Sequence, residues 1–243
     1  MPPQISVTTS RTDQSKAARA LSDALNSLGC PHAYIGGFAW ALLGSTRPTQ
    51  DIDVLIEISI LEMEKIHTKL SEISRKFAES NAIKLFYVQD LKDDLTGIEL
   101  IQANKNNVLI ETLRAGSLGL PSVAGPTYPI QNEDTGVVVQ ILHPGILFLT
   151  KVKRWYFNRE SDYPKTVLKT ASDRRDLEYL LEWLVENEMT IEFEQYQGKS
   201  KKDLLVFVKG FKDMSEEDEE LMITLQRAMK ATDWEAMSAP TEV

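Results

Sequence analysis

Tyr34-Ile35-Gly36-Gly37-Phe38-Ala39-Trp40-Ala41-Leu42-Leu43-Gly44-Ser45-Thr46-Arg47-Pro48-Thr49-Gln50-Asp51-Ile52-Asp53-Val54-Leu55-Ile56-Glu57 is the stretch that decides how this 243-residue chain folds. A short apolar strand over 33–35 runs into paired glycines, then into a short apolar helix, a polar turn and a second strand. That second strand opens with two carboxylates spaced i and i+2. In a strand this spacing puts Asp51 and Asp53 on one face and Ile52, Val54 and Ile56 on the other.

Two acids that point the same way repel each other unless a hard cation sits between them. Mg²⁺ held by one or two carboxylates together with substrate phosphates is the usual solution. Gly36 and Gly37 carry no side chain, so backbone N–H groups there can approach phosphate oxygens, and the helix that follows adds its positive end. Ser45, Arg47 and Thr49 supply further donors for anionic oxygens.

In this order, Gly36-Gly37, Arg47, Thr49, Asp51 and Asp53 resemble the signature of the nucleotidyltransferase superfamily, whose fold is shared by DNA polymerase β. The Gly-Gly form with an Arg-x-Thr-x-Asp-x-Asp turn is most similar to two branches. One is the AbiEii-type enzymes of toxin–antitoxin systems; the other is the aminoglycoside and lincosamide nucleotidyltransferases. The resemblance implies a third carboxylate on a later strand. Glu111, the single acid in the β-leaning run Asn107-Val-Leu-Ile-Glu111-Thr-Leu-Arg114, fills that place. Glu99 and Asp90 are the competing acids, and pairing with Arg114 at a strand edge is the purely structural alternative for Glu111.

A second resemblance lies downstream. AbiEii-type proteins carry a helical Lys, an Arg several residues on, and a Lys-Asp-x-x-Asp-Leu start to the next helix. Here these are Lys151, Arg159 and the pair Asp173 and Asp176, with Ser172 where Lys is usual. Carried over by position, Lys151 would contact the triphosphate, and Arg159, Asp173 and Asp176 would shape the nucleotide pocket. Read locally, Lys151 is a lysine on an amphipathic helix, Asp173 a helix cap and Asp176 an acid in the first turn.

The formal net charge of −9 argues against a broad nucleic-acid footprint. One basic cluster runs against it: Lys151, Lys153, Arg154, Arg159, Lys165, Lys169, Arg174 and Arg175, with Trp155, Tyr156 and Tyr163 interleaved. It suits a triphosphate or an RNA end stacked on an aromatic ring, or is simply a solvated helix face. The lone Cys30 excludes an internal disulfide. His32, His67 and His143 are scattered and read as packing or surface groups. No apolar run approaches bilayer length, and 1–16 lacks a signal-peptide core, so a cytoplasmic protein without membrane contact is expected.

Periodicity places an amphipathic helix at 14–28, ended by Gly29 and Pro31, and another at about 60–78. Strands are expected at 84–89, 97–102, 108–113 and 137–141, with a hairpin turn at 104–107 and a loop over 116–129 that the resemblance sets beside the substrate cleft. From Pro144 onward helices are expected at 144–158, 173–187, 190–196, 200–210 and 215–231. Ser215 caps the last, ahead of its acidic first turn.

The resulting expectation is an α/β (α+β) nucleotidyltransferase fold. A mixed β-sheet flanked by helices, 14–142, forms the catalytic domain, and an α-helical C-terminal domain, 143–243, follows, with the active site between them. Asp51, Asp53 and Glu111 would hold one or two Mg²⁺ ions, and Gly36, Gly37, Ser45, Arg47, Thr49 and Lys151 would bind the nucleoside triphosphate. An NMP would pass to a hydroxyl on a tRNA end, a protein or a small molecule, with release of pyrophosphate. As a toxin, the protein would meet an antitoxin. A catalytically silent nucleotide-binding scaffold with the same fold is the alternative.

Overall fold

Ser10 starts the first helix, α1 (Arg11–Ser27), by accepting the Asp13 amide on its hydroxyl, and Ala17, Ala18, Leu21 and Leu25 form the buried stripe of that helix. In this computed structural model, which describes residues 5–132 and 135–239, the chain divides into two units. The outer ends of the spans read at 1–16 and 143–243, residues 1–4 and 240–243, lie outside the described residues. One unit comprises Met1–Ala115 with Thr127–Leu142, the other Gly116–Pro126 with His143–Val243.

After α1, the first unit runs through β1 (His32–Ile35), α2 (Gly36–Leu42), β2 (Asp51–Ile56), α3 (Ile60–Met63), α4 (Ile66–Ile73), β3 (Phe77–Glu79), β4 (Leu85–Tyr87), α5 (Gly97–Ala103), β5 (Val108–Arg114), β6 (Thr127–Gln131) and β7 (Val138–Leu142). The seven strands make one mixed sheet in the order β3-β4-β5-β2-β1-β7-β6. β2 lies antiparallel to β1 and parallel to β5. Ile52, Val54 and Ile56 are wholly buried on one face of β2, while Asp51 and Asp53 stand half-buried on the other, which closes at the buried Leu55. Each buried aliphatic side chain contributes about 1.5–3 kcal/mol, which fixes the β2 register and with it the face on which the acids stand.

Several local expectations are corrected. The helix expected at 60–78 is two helices ending at Ile73, because Phe77 and Ala78 are buried as strand residues and Phe77 pairs with Tyr87. The strand expected at 97–102 is α5. Leu100 and Ile101 both pack on the Ala78, Phe86 and Val88 cluster, and neighbours in a strand would face opposite ways. Residues 104–107 therefore link a helix to a strand rather than turning a hairpin, and Asn107 Nδ2 donates to the Ile101 carbonyl at 2.9 Å. The loop expected over 116–129 ends at Pro126, since β6 follows it. Pro129 is tolerated because β6 is an edge strand, with one side free of ladder bonds.

The second unit is helical: α6 (Pro144–Asn158), α7 (Pro164–Glu186), a 3₁₀ turn at Phe193–Gln195, α8 (Lys201–Asp213), α9 (Glu219–Arg227) and α10 (Ala231–Ser238). Trp155, Phe148 and Phe211 meet edge to face in its core. Two caps differ from expectation. α7 begins at Pro164, a favoured first position, so Asp173 and Asp176 lie mid-helix rather than at an N-terminus. The helix expected at 215–231 is α9 followed by the start of α10, and α9 is capped not by Ser215, which is buried, but by Asp218, which accepts the Leu221 amide at 3.0 Å.

Candidate active site

The parallel ladder between β2 and β5 sets Asp53 opposite Glu111, and Asp51, two residues earlier, shares their face. Asp51, Asp53 and Glu111 each offer a carboxylate oxygen, all within 4.8 Å of one another. Neither Glu99 nor Asp90 joins them: Glu99 sits in the first turn of α5, and the Asp90 backbone is tied to the Asn104 side chain. An octahedral Mg²⁺ at about 2.1 Å from its ligands sets neighbouring oxygens about 3 Å apart and opposite ones about 4.2 Å apart, so carboxylates within 4.8 Å of one another need only small side-chain rotations to close on a hard cation. Asp51 and Asp53 are half-buried and Glu111 is exposed, which leaves one side of the trio open to solvent and substrate.

The turn between α2 and β2 is packed against the paired glycines. Gly36 has φ +65°, and a Cβ built on it would lie 1.8 Å from Asp53 Oδ2. A Cβ on Gly37 would lie 2.5 Å from Thr49 Oγ1 and 3.7 Å from Arg47 Nη2. Both positions are therefore closed to any side chain, and the Arg47 guanidinium is held beside the Gly37 backbone. Thr49 Oγ1 lies 3.1 Å from Asp51 Oδ1 and 3.2 Å from the Asp51 carbonyl, and it donates its proton there. Ser45 is buried, with its hydroxyl accepting the Arg47 amide at 3.4 Å.

Two residues absent from the sequence reading support this turn: Arg11 donates to the Ser45 carbonyl, and Gln14 Nε2 donates to the Thr49 carbonyl at 2.9 Å. The available signal was Gln14, a polar residue three positions before the apolar stripe of a helix that it continues.

Lys151, Arg159, Asp173 and Asp176 belong to the second unit. Lys151 is buried, with Nζ 2.7 Å from Asp176 Oδ2 and 3.3 Å from Asp173 Oδ1, and Arg154 Nε donates to Asp173 Oδ2 at 2.8 Å. Burial pushes the Lys151 ammonium below its usual range, and Arg154 adds to this. The two carboxylates oppose it. Arg159 stacks on Tyr156, its guanidinium carbon 3.8 Å from the ring centroid, and pairs with Glu160 at 2.8 Å. Trp155 is buried, so within the basic cluster it offers no face for base stacking, whereas Tyr163 is exposed.

The mixed seven-stranded sheet followed by helices is a nucleotidyltransferase-like fold, and a solved structure shares it. An antigenic nucleotidyltransferase-like protein from Paracoccidioides brasiliensis is similar at 16% identity and a TM-score of 0.61, over 93% of this chain and 97% of that one. Two structures of ANT(2″)-Ia also match. One, in complex with adenylyl-2″-tobramycin, does so at 13% identity and TM-score 0.39, over 83% of this chain and 98% of that one. The other, a solution structure, does so at 16% and 0.37, over 70% and 90%. No protein-family model matches the sequence, and no curated protein matches it. Among the described residues, no helix is long and apolar enough to cross a membrane.

Proposed function

We propose that the protein is a metal-dependent nucleotidyltransferase that moves a nucleoside monophosphate from a nucleoside triphosphate to a hydroxyl acceptor. The observation that carries this reading is the convergence of Asp51, Asp53 and Glu111 on one sheet face beside the Gly36-Gly37 backbone. Bound there, Mg²⁺ would neutralise triphosphate charge and lower the pKa of the acceptor hydroxyl. The three carboxylates would hold the ion, backbone N–H groups at Gly36 and Gly37 would meet the phosphates, and the Arg47 guanidinium would donate to their oxygens. The acceptor oxygen would bond to the α-phosphorus as the bond to the pyrophosphate oxygen breaks, pyrophosphate would leave, and the acceptor proton would pass to solvent. The protein's part is to align these groups and balance their charge. Lys151 and its carboxylates form their own ion cluster, and no step is routed through them.

The test is incubation of the purified protein with Mg²⁺ and each α-³²P ribonucleoside triphosphate, in three arms: protein alone, total tRNA and an aminoglycoside. An Asp51→Ala/Asp53→Ala control runs beside each. Label on an acceptor that vanishes in the control supports the reading. Label on RNA would favour the AbiEii-like branch, with its antitoxin, and label on the antibiotic the aminoglycoside branch. No label in any arm overturns transfer and favours a nucleotide-binding scaffold.

A further inference from the structure

The Thr49 hydroxyl is committed to Asp51, and its carbonyl is committed to α1. Gln14 is 1% exposed in the stripe that continues as Ala17, Ala18 and Leu21, where an apolar residue would pack at no polar cost. Its carboxamide instead donates to the Thr49 carbonyl at 2.9 Å. Three residues earlier, on the same helix face, Arg11 donates to the Ser45 carbonyl, so one face of α1 grips both ends of the turn that carries Arg47. Gly37, with no side chain, leaves the Thr49 hydroxyl its place, since a Cβ there would lie 2.5 Å from Thr49 Oγ1.

We propose that Gln14 is a positioning residue for the metal site: by holding the Thr49 backbone it fixes the hydroxyl that orients the Asp51 carboxylate. The proposal rests on the nucleotidyltransferase reading and gives Thr49 a role different from phosphate contact. Asp51 opens β2 and is paired to β5, while the β1 ladder begins only at Asp53, so its geometry depends on what anchors the preceding turn. Loss of an outer partner of a metal ligand typically weakens metal affinity roughly 10- to 100-fold.

The experiment is Mn²⁺ titration of the full chain, with free Mn²⁺ read by electron paramagnetic resonance in the presence of a non-hydrolysable ATP analogue, alongside thermal unfolding. Asp53→Asn should abolish specific binding. Gln14→Met and Thr49→Val should each weaken it about tenfold, and the double variant should be little worse than either, because both break one relay. Thr49→Ser, which keeps the hydroxyl, should retain wild-type affinity. Ser22→Ala supplies the structural control: Ser22 Oγ lies 3.0 Å from Tyr34 Oη on the far half of α1, so its loss should lower the melting temperature and leave Mn²⁺ affinity alone. If Gln14→Met fails to fold, the Thr49→Val and Thr49→Ser pair decides.

Affinities of Gln14→Met and Thr49→Val within twofold of wild type, with Asp53→Asn still unable to bind, would overturn the positioning role and leave the metal site standing. A wild-type protein that binds no Mn²⁺ would overturn the metal site, and the positioning role with it.

Discussion

The Asp53 carboxylate fills the place that a side chain on Gly36 would need: a Cβ there would lie 1.8 Å from Asp53 Oδ2. Gly36→Ala therefore does two things. The left-handed backbone at φ +65° becomes strained by about 1–2 kcal/mol, and the Asp53 carboxylate must rotate out of the trio. Transfer should fall roughly 100-fold, as expected when a reacting group moves by about an ångström. Rate and melting temperature measured together check this; a variant that melts early but transfers at the wild-type rate would break the link between Gly36 and Asp53.

Asp53→Asn removes one negative charge from three carboxylates whose oxygens lie within 4.8 Å. Like charges at that distance oppose each other, so in the absence of metal the variant should unfold at an equal or higher temperature than wild type. Transfer should drop by more than the roughly 100-fold that follows loss of a ligand's outer partner. Calorimetry in chelator and a transfer assay in Mg²⁺ give the two readings.

Arg47 Nη2 lies 3.7 Å from where a Gly37 Cβ would be, beside the backbone expected to meet phosphate. A hydrogen bond to a charged group is worth about 1.5–3 kcal/mol. Arg47→Ala should accordingly weaken binding of a non-hydrolysable triphosphate by roughly 10- to 100-fold while Mn²⁺ affinity without nucleotide stays unchanged. Isothermal titration with and without nucleotide separates the two; an unchanged nucleotide affinity would remove Arg47 from the phosphate site.

Lys151→Met removes the cation that lies 2.7 Å from the buried Asp176 and 3.3 Å from Asp173. Breaking one side of a buried ion pair typically costs about 3–5 kcal/mol, whereas exchanging both sides for apolar groups is often neutral. The urea midpoint of Lys151→Met should fall sharply, and Lys151→Met/Asp176→Leu should recover most of it, with Arg154 still holding Asp173.

The motif strand was legible because its two periods agree: acids at 51 and 53 outward, Ile52 and Val54 inward. Glu111 was legible as an acid in an apolar strand, and the ladder places it opposite Asp53. What failed in the sequence were choices that only tertiary contacts make. The 97–102 run is apolar enough for a strand, but Leu100 and Ile101 share one core and so are helical. Asp173 reads as a cap because acids favour first turns, yet it is mid-helix because Lys151 and Arg154, about twenty residues away in sequence, neutralise it. Gln14 showed in the sequence only as a polar residue ahead of an apolar stripe, and its partner, the Thr49 carbonyl, has no side-chain signature.

Burial also predicts an acid limit to stability. His32, His67 and His143 all have their pKa pushed below the ordinary 6.5, in each case chiefly because burial disfavours the imidazolium. The Cys30 carbonyl opposes this at His32, Glu79 at His67 and Glu192 at His143. Between the depressed folded values and 6.5 the unfolded chain binds more protons than the folded one, so stability rises with pH there. It is fully present above 6.5 and is lost as pH falls through the folded values, at no more than about 1.4 kcal/mol per pH unit for each histidine. Urea midpoints should thus be level from pH 8 to 7 and decline below 6.5, before carboxylates begin to protonate. His32, whose Nδ1 lies 3.0 Å from the Cys30 carbonyl and whose Nε2 lies 3.0 Å from Ser22 Oγ, is the most enclosed by side-chain and backbone partners. His32→Gln should make the decline shallower while lowering the pH 8 midpoint. An unaltered slope would mean that His32 takes up a proton as readily in the folded protein as in the unfolded chain, against the expected depression.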